Sequence, residues 1–341
     1  MEVLVLLLII IIFYKSKILK KGFNEDYLSL KSSKLYKGFL AIIILFHHIS
    51  QKVNHNLLFY KFSYVGYLAV AVFFFISGYG THKSNLKSDK YRKNFLLNKF
   101  INILIPYIIV TTIYVIYNKV YCKCYYVENI FEYIINKNPI VSNSWYIIVL
   151  LVFSIMYYIS MNIFKKRKNL IIIPMLLFNL IYIYYCKQNN FGIYWYDAIH
   201  LYNIGIIFAQ YETKIIGYFK RTYSIILPIL LLLFRQLFKM YYLSLEYKNH
   251  FIISIIIVLL FLLLNMKIKI NNKLLEFFGK ISYELYMVQG LFLDIFRTRI
   301  YNIQNDLYFA LLVIVCSILS AYILNVFFSY TRKLLKSKKS L

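Results

Sequence analysis

Long apolar stretches recur along the whole chain, and no other feature constrains its fold as strongly. Of the 341 residues, 61% are hydrophobic and only 16% are charged. A soluble domain of this length would not carry repeated apolar runs of this kind, which are typical of helices that cross a bilayer. We therefore predict an all-α fold, a polytopic transmembrane bundle of about 10–11 helices.

Eleven apolar stretches approach the length that a bilayer requires, although several are short. The first lacks a basic region before it and a small-residue cleavage site after it, so we do not expect a cleaved signal peptide. The predicted spans are 2–14, 36–52, 64–82, 100–118, 145–164, 170–186, 196–211, 223–243, 250–267, 280–297 and 307–330.

The formal net charge of +27 is distributed in a way that predicts the orientation of the bundle. Such a charge could indicate nucleic acid binding, but the Lys and Arg residues form short clusters between the apolar stretches. The clusters occupy every second gap, as expected if all of those gaps face the cytoplasm. They lie at 15–37, 83–99, 165–168, 214–221, 267–273 and 332–339. We predict a multi-pass protein of the cell membrane with a cytoplasmic C-terminus and no nucleic acid partner.

The chain is expected to form one membrane domain with short flanking segments. Residues 1–35 are predicted to be an N-terminal hydrophobic segment followed by a basic cytoplasmic linker. Residues 36–330 form the transmembrane domain, and residues 331–341 form a basic cytoplasmic tail. The sequence leaves the oligomeric state open.

Two adjacent histidines, His47 and His48, lie inside an apolar run that begins after Lys37. An ionisable side chain at membrane depth costs free energy, so it is rarely retained for packing alone. Lys37 and His48 are about three helical turns apart and share a face, with His48 about 16 Å deeper, whereas His47 points about 100° away. Imidazole titrates near neutrality, so we predict His48 and Lys37 as catalytic residues, with His48 as general base. The alternative is a histidine that only hydrogen-bonds across a helix interface.

Three further segments combine polar residues with apolar surroundings. Ser77 stands beside Gly78, where small residues favour either close helix packing or a functional site. Trp145 opens a predicted span, as an interfacial anchor would. Ser282 and Gln289 lie in or near the membrane, where Gln289 needs a hydrogen-bonding partner.

Taken in order, these segments resemble acyltransferase family 3, the polytopic membrane acyltransferases that modify glycans and other extracytoplasmic acceptors. The resemblance runs from residue 36 to about residue 330. It rests on Lys37-x10-His48, Phe74-Phe75-Ile76-Ser77-Gly78, the basic stretch that leads to Pro106, Ser144-Trp145-Tyr146 and Ser282-Tyr283-Glu284-Leu285-Tyr286.

The resemblance implies transfer of an acyl group, with acetyl expected, from cytoplasmic acyl-CoA to a hydroxyl of a surface glycan or lipid-linked sugar. Membrane lipid and the glycan acceptor are the implied partners, acyl-CoA is the co-substrate, and no metal is expected. The implied substrate-binding residues are His47, Ser77, Lys93, Lys99, Trp145, Ser282 and Gln289.

The chain departs from the family pattern at three places. Lys37 replaces the usual Arg, which removes the planar fork of donors and leaves a point charge. Lys99 and Asn102 stand where relatives often have R-x-x-R, and Gln289 stands where many have His. An inactive relative is therefore one alternative, and a transporter, flippase or glycan polymerase for lipid-linked saccharides is another.

Two pairs of polar residues fall outside the family pattern. Arg235 and Lys239 are one turn apart near the predicted outer end of a span, where long basic side chains reach the interface; an anion contact is the alternative. His200, near Asp197, is either part of a proton relay or half of a plain Asp–His contact at the outer boundary.

Overall fold

The protein folds as a bundle of α-helices, as its sequence predicts. A computed structural model describes residues 13–53, 62–122, 140–141, 143–243 and 246–337. Almost all of the predicted first span, 2–14, lies outside these residues. Within them, sheet is limited to the two-residue antiparallel strands β1 (Lys17–Ile18) and β2 (Ile268–Lys269). The all-α fold class is confirmed.

Several helices are joined end to end by short segments of other helical types. The π-helical segments are Phe100–Leu104, Asn118–Cys122 and Ile295–Arg299, the last of which extends the ninth helix. The 3₁₀ segments are Lys168–Ile171 and Ile193–Trp195. In chain order the α-helices are α1 (Leu30–Ser50), α2 (Gly66–Lys87), α3 (Asp89–Lys99), α4 (Ile105–Tyr117), α5 (Trp145–Ile163), α6 (Ile172–Gln188), α7 (His200–Leu243), α8 (Tyr247–Lys267), α9 (Lys273–Asp294) and α10 (Asp306–Ser337).

Among the described residues, six helical stretches are long and apolar enough to cross a membrane, which makes this a multi-pass membrane protein. Helices α1, α2 and α9 are not among them, and these helices carry buried polar side chains such as His48, His82 and Glu284. Because polar groups are costly against lipid, such helices are expected inside a bundle. The six stretches are Asp89–Tyr121, Trp145–Ile163, Lys168–Gln188, Ile193–Tyr241, Tyr247–Lys267 and Asp306–Leu334.

Two predicted spans, 196–211 and 223–243, are joined in the single element α7. Its backbone is non-helical at Tyr211, with φ −112° and ψ 21°. Tyr67 contacts both sides of the break, since its hydroxyl lies 3.3 Å from the carbonyl oxygen of Asp197 and its ring lies 5.8 Å from that of Tyr241. A straight helix of this length would extend for about 65 Å. The chain therefore turns back within α7, and the two predicted segments are separate passes.

Glycines allow the central helices to approach closely. A Cβ atom at Gly38 of α1 would lie 2.1 Å from the carbonyl oxygen of Leu275 on α9. A Cβ atom at Gly78 of α2 would lie 2.0 Å from the carbonyl oxygen of Tyr202 on α7. The close helix packing that the sequence suggests at Ser77-Gly78 is therefore present, and it fixes α1 and α2 against their neighbours.

Ion pairs tie several of the basic clusters to neighbouring segments. Lys34 pairs with Glu276 at 3.2 Å, Lys220 pairs with Glu25 at 2.7 Å, and Lys168 pairs with Asp89 at 3.2 Å. Lys83 and Glu212 form a further pair. The hydrogen bond from Lys34 holds the pKa of Glu276 below its usual range.

Candidate functional site

Two adjoining cavities run along α1, one toward each of its ends. The lysine cavity, lined by Lys37 and Lys99, has a volume of about 440 Å³. The histidine cavity, lined by His47 and His48, has a volume of about 480 Å³. Three residues line both cavities, and we call them the junction: Ile44 of α1, Val70 of α2 and Tyr286 of α9.

The lysine cavity contains two positive charges that repel each other. Lys37 comes from α1 and Lys99 from the end of α3, where its Nζ lies 5.4 Å from the centre of the Phe95 ring. Neither has a carboxylate within 4 Å among the residues that the structure describes. Two unpaired cations in a confined space attract an anion.

The rest of the lysine cavity is apolar and aromatic, with a few hydroxyl and amide groups. Ser77 Oγ lies 3.3 Å from the hydroxyl of Tyr146, and Ser282 Oγ donates a hydrogen bond to the carbonyl of Gly279 at 3.2 Å. Asn102 also lines this cavity. Such walls suit a long, partly apolar ligand with an anionic end.

His48 is 7% exposed and lies one turn after the junction residue Ile44. The Gln289 side chain interacts with its imidazole. The buried Nδ1 of His48 and Oε1 of Gln289 have no hydrogen-bond partner in the described part of the chain. Gln289 is thus the polar side chain beside the His48 imidazole.

His47 lines the same cavity as His48 although it occupies a different face of α1. The two ring centres are 5.3 Å apart. Nδ1 of His47 lies 3.1 Å from the carbonyl oxygen of Phe62, and Nε2 lies 3.2 Å from Nε2 of Gln51. Both of its ring nitrogens therefore have protein partners, which distinguishes it from His48.

The remaining predicted site residues are divided among different surroundings. Trp145 lines the histidine cavity, and its ring centre lies 5.6 Å from that of Tyr194. Lys93 is exposed and lines neither cavity. Arg235 and Lys239 are also exposed and lie outside both cavities. The structure thus brings Lys37, Lys99, Ser77 and Ser282 together, and places His47, His48 and Trp145 in the second cavity.

A buried Asp–His pair in the histidine cavity was missed by the sequence analysis. Nδ1 of His250 lies 2.8 Å from Oδ2 of Asp197, and these residues are 4% and 1% exposed. The sequence leaves open whether His200 belongs to a proton relay or only contacts Asp197; in the structure Nε2 of His200 lies 3.0 Å from Oγ of Ser254, and the Asp197 carboxylate bonds His250. Asp197 lies at the start of the predicted span 196–211, and His250 lies at the start of the predicted span 250–267. Both starts are predicted on the same side of the membrane, and this shared position is the signal that could have linked the two residues.

Comparison with known proteins agrees with the motifs. Residues 30–326 match the family model of acyltransferase family 3, described as an acyltransferase domain. The match includes every residue discussed in the two cavities. No curated protein and no solved structure matches the chain. The chain therefore belongs to acyltransferase family 3 and is a multi-pass membrane acyltransferase.

Proposed function

We propose that this protein transfers an acetyl group from cytoplasmic acetyl-CoA to a hydroxyl of a surface glycan or lipid-linked sugar. The observation that carries the proposal is the junction, because Ile44, Val70 and Tyr286 line both a cavity with two unpaired lysines and a cavity with His48. A donor in one cavity and an acceptor in the other could meet there. Family membership supports acyl transfer in general.

The lysine cavity is the proposed donor site. The phosphates of acetyl-CoA are anionic, and Lys37 and Lys99 lack carboxylate partners among the described residues. The apolar walls would hold the pantetheine arm of the donor. Ser77 and Ser282, which also line the cavity, would contact the amide groups of that arm. Exposed Lys93, on the same helix as Lys99, would contact parts of the nucleotide outside the cavity.

The histidine cavity is the proposed acceptor site. The acceptor hydroxyl oxygen attacks the thioester carbonyl carbon, so that a C–O bond forms as the C–S bond breaks. His48 accepts the hydroxyl proton and passes it to the departing sulfur, leaving an acetyl ester and the CoA thiol. Gln289 would orient His48, and His47 and Trp145 would line the space beside the acceptor.

The sidedness of the reaction follows from the charge pattern. The lysine cavity includes Leu30 and Lys37, near the start of α1, which the basic linker precedes. The histidine cavity includes Gln51, just after the end of α1. If the basic clusters face the cytoplasm, the donor enters from the cytoplasm and the acceptor from the opposite side. In this orientation the protein lies in the cell membrane with its C-terminal tail in the cytoplasm.

The test follows label from [¹⁴C]acetyl-CoA into the glycan fraction of membranes that contain the protein. We expect the His48→Ala variant to lose about 100-fold or more of the transfer rate, as for removal of a general base. The His47→Ala variant in parallel separates the contributions of the two histidines. Mass spectrometry of surface glycans should show loss of one acetyl increment in the His48→Ala variant.

His82→Ala is the matched control. His82 is fully buried and bonded, with Nδ1 2.9 Å from the Tyr157 hydroxyl and Nε2 2.8 Å from Oε1 of Gln210, but it lines neither cavity. Equal amounts of each variant in the membrane are verified by immunoblot. Absence of any transfer by the wild-type protein would overturn the proposed function, whereas full activity of the His48→Ala variant would overturn only the base assignment.

A further inference from the structure

The Asp197–His250 pair lines the histidine cavity and contains two buried polar atoms without a hydrogen-bond partner among the described residues. With the Asp197 carboxylate accepting the Nδ1 hydrogen of His250, the ring in its neutral form has its lone pair on Nε2. Nε2 of His250 and Oδ1 of Asp197 are both buried and without a hydrogen-bond partner within the described ranges. Buried acceptors without donors are costly, so a ligand that donates hydrogen bonds would be stabilised here.

The orientation of this pair is strongly constrained. The His250 ring lies 4.8 Å from the rings of both Tyr67 and Tyr241. The Tyr67 hydroxyl donates to the carbonyl of His250 at 2.6 Å and approaches that of Asp197 at 3.3 Å. The imidazole therefore cannot turn freely to satisfy Nε2 elsewhere.

We propose that Asp197 and His250 form a two-point acceptor subsite for a ligand with at least two hydroxyl groups, namely the sugar that receives the acyl group. This inference rests on the proposed function and names the residues that select the acceptor. Nε2 of His250 and Oδ1 of Asp197 each accept a hydrogen bond from a sugar hydroxyl. A further hydroxyl of the same sugar is thereby positioned toward His48, which lines the same cavity.

The test measures the apparent KM for each substrate separately. Purified protein receives [¹⁴C]acetyl-CoA and increasing amounts of a glycan extract from cells that lack this protein. The His250→Leu variant should raise the apparent KM for the extract about tenfold or more, as expected for one buried hydrogen bond. Its KM for acetyl-CoA should be unchanged. The His250→Gln variant, which restores an acceptor oxygen, should recover part of the loss, and Asp197→Asn should give an intermediate increase.

His200→Leu is the matched control for packing. His200 is also a buried histidine between α7 and α8, but it bonds Ser254 and does not line the histidine cavity. Its variant should leave both KM values unchanged. An unchanged KM for the extract in His250→Leu, or equal effects of His200→Leu and His250→Leu, would overturn the inference.

A second measurement separates this inference from the proposed function. Thermal unfolding of the purified protein is followed with and without the glycan extract, in the absence of acetyl-CoA. The extract should raise the unfolding midpoint of the wild-type protein but not of His250→Leu. If this difference appears while no label is transferred, the acceptor subsite is supported and the proposed acyl-transfer function is wrong. If the wild-type midpoint does not change, the subsite is wrong.

Discussion

Lys37 on α1 and Lys99 at the end of α3 lie close enough for their positive charges to repel each other, and both line one cavity. None of the ion pairs among the described residues includes either side chain. The repulsion is relieved when an anion binds between them. The arrangement therefore favours the ligand-bound state over the empty one.

Removal of either charge should weaken binding of the donor. We expect Lys37→Gln or Lys99→Gln to raise the apparent KM for acetyl-CoA about 10- to 100-fold, in line with one hydrogen bond between charged groups, with a smaller change in kcat. Acetyl-pantetheine, which lacks the phosphates, should bind the parent and the variants equally. Lys93→Gln, at an exposed position outside both cavities, should raise the KM for acetyl-CoA by less than either cavity-lysine variant does. An equal loss with both donors would show that the lysines do not bind phosphate.

A larger side chain at the junction should separate donor binding from transfer. Ile44→Phe places additional volume where the two cavities adjoin. We expect transfer to the glycan fraction to fall about tenfold or more, since a small misplacement of reacting groups has large effects on rate. Binding of acetyl-CoA, measured by equilibrium dialysis, should persist. Ile43→Phe, one residue earlier and outside both cavities, serves as the control.

Two glycines on α2 should respond in opposite ways to the same substitution. Gly78→Ala places a Cβ atom 2.0 Å from a backbone oxygen of α7, so it should cost about 1–3 kcal/mol of stability through overpacking. Gly80→Ala meets no atom within 4 Å and should be neutral or slightly stabilising, because alanine favours a helix over glycine. Thermal unfolding in detergent distinguishes them, and equal midpoints would contradict the close α2–α7 packing.

The Lys34–Glu276 pair predicts a pH-dependent contribution to stability. Its hydrogen bond lowers the pKa of Glu276 in the folded state, so the stabilisation is present above the unfolded value of about 4.3 and is lost as the pH falls through the lower folded value. Glu276→Gln should therefore lower the unfolding midpoint slightly at pH 7. The difference from the parent should disappear below about pH 4. Because the carboxylate is exposed, high salt should also reduce the difference.

The sequence predicts the helices and the two catalytic candidates for a clear physical reason. Lys37 and His48 are conspicuous because they interrupt apolar segments, and the cost of such residues in a bilayer makes them informative. The structure adds that they line different cavities, with Ile44 between them on α1. Helical spacing alone fixes a shared face but not the shape of the space beside it.

Contacts between distant segments could not be predicted in the same way. Asp197 and His250 are 53 residues apart, and their contact depends on the chain reversal within α7. The sequence indicates polar residues there but not which ones meet, so the pairing of Asp197 with His250 is evident only in the structure. Glu284 is similar, because its spacing in the sequence does not reveal its partner, yet it is 2% exposed and accepts a hydrogen bond from Asn325 at 3.0 Å.

In the proposed orientation the junction would also limit ion leakage across the membrane. Moving one elementary charge across a membrane potential of about 100 mV involves about 2.3 kcal/mol, so an ion leak through two opposed cavities would dissipate energy continuously. Ile44 and Val70 present aliphatic side chains there, which offer an ion no substitute for its hydration shell. In the proposed reaction only a small uncharged acyl group passes this point. The proposed reaction would then export the free energy of a thioester without conducting a current.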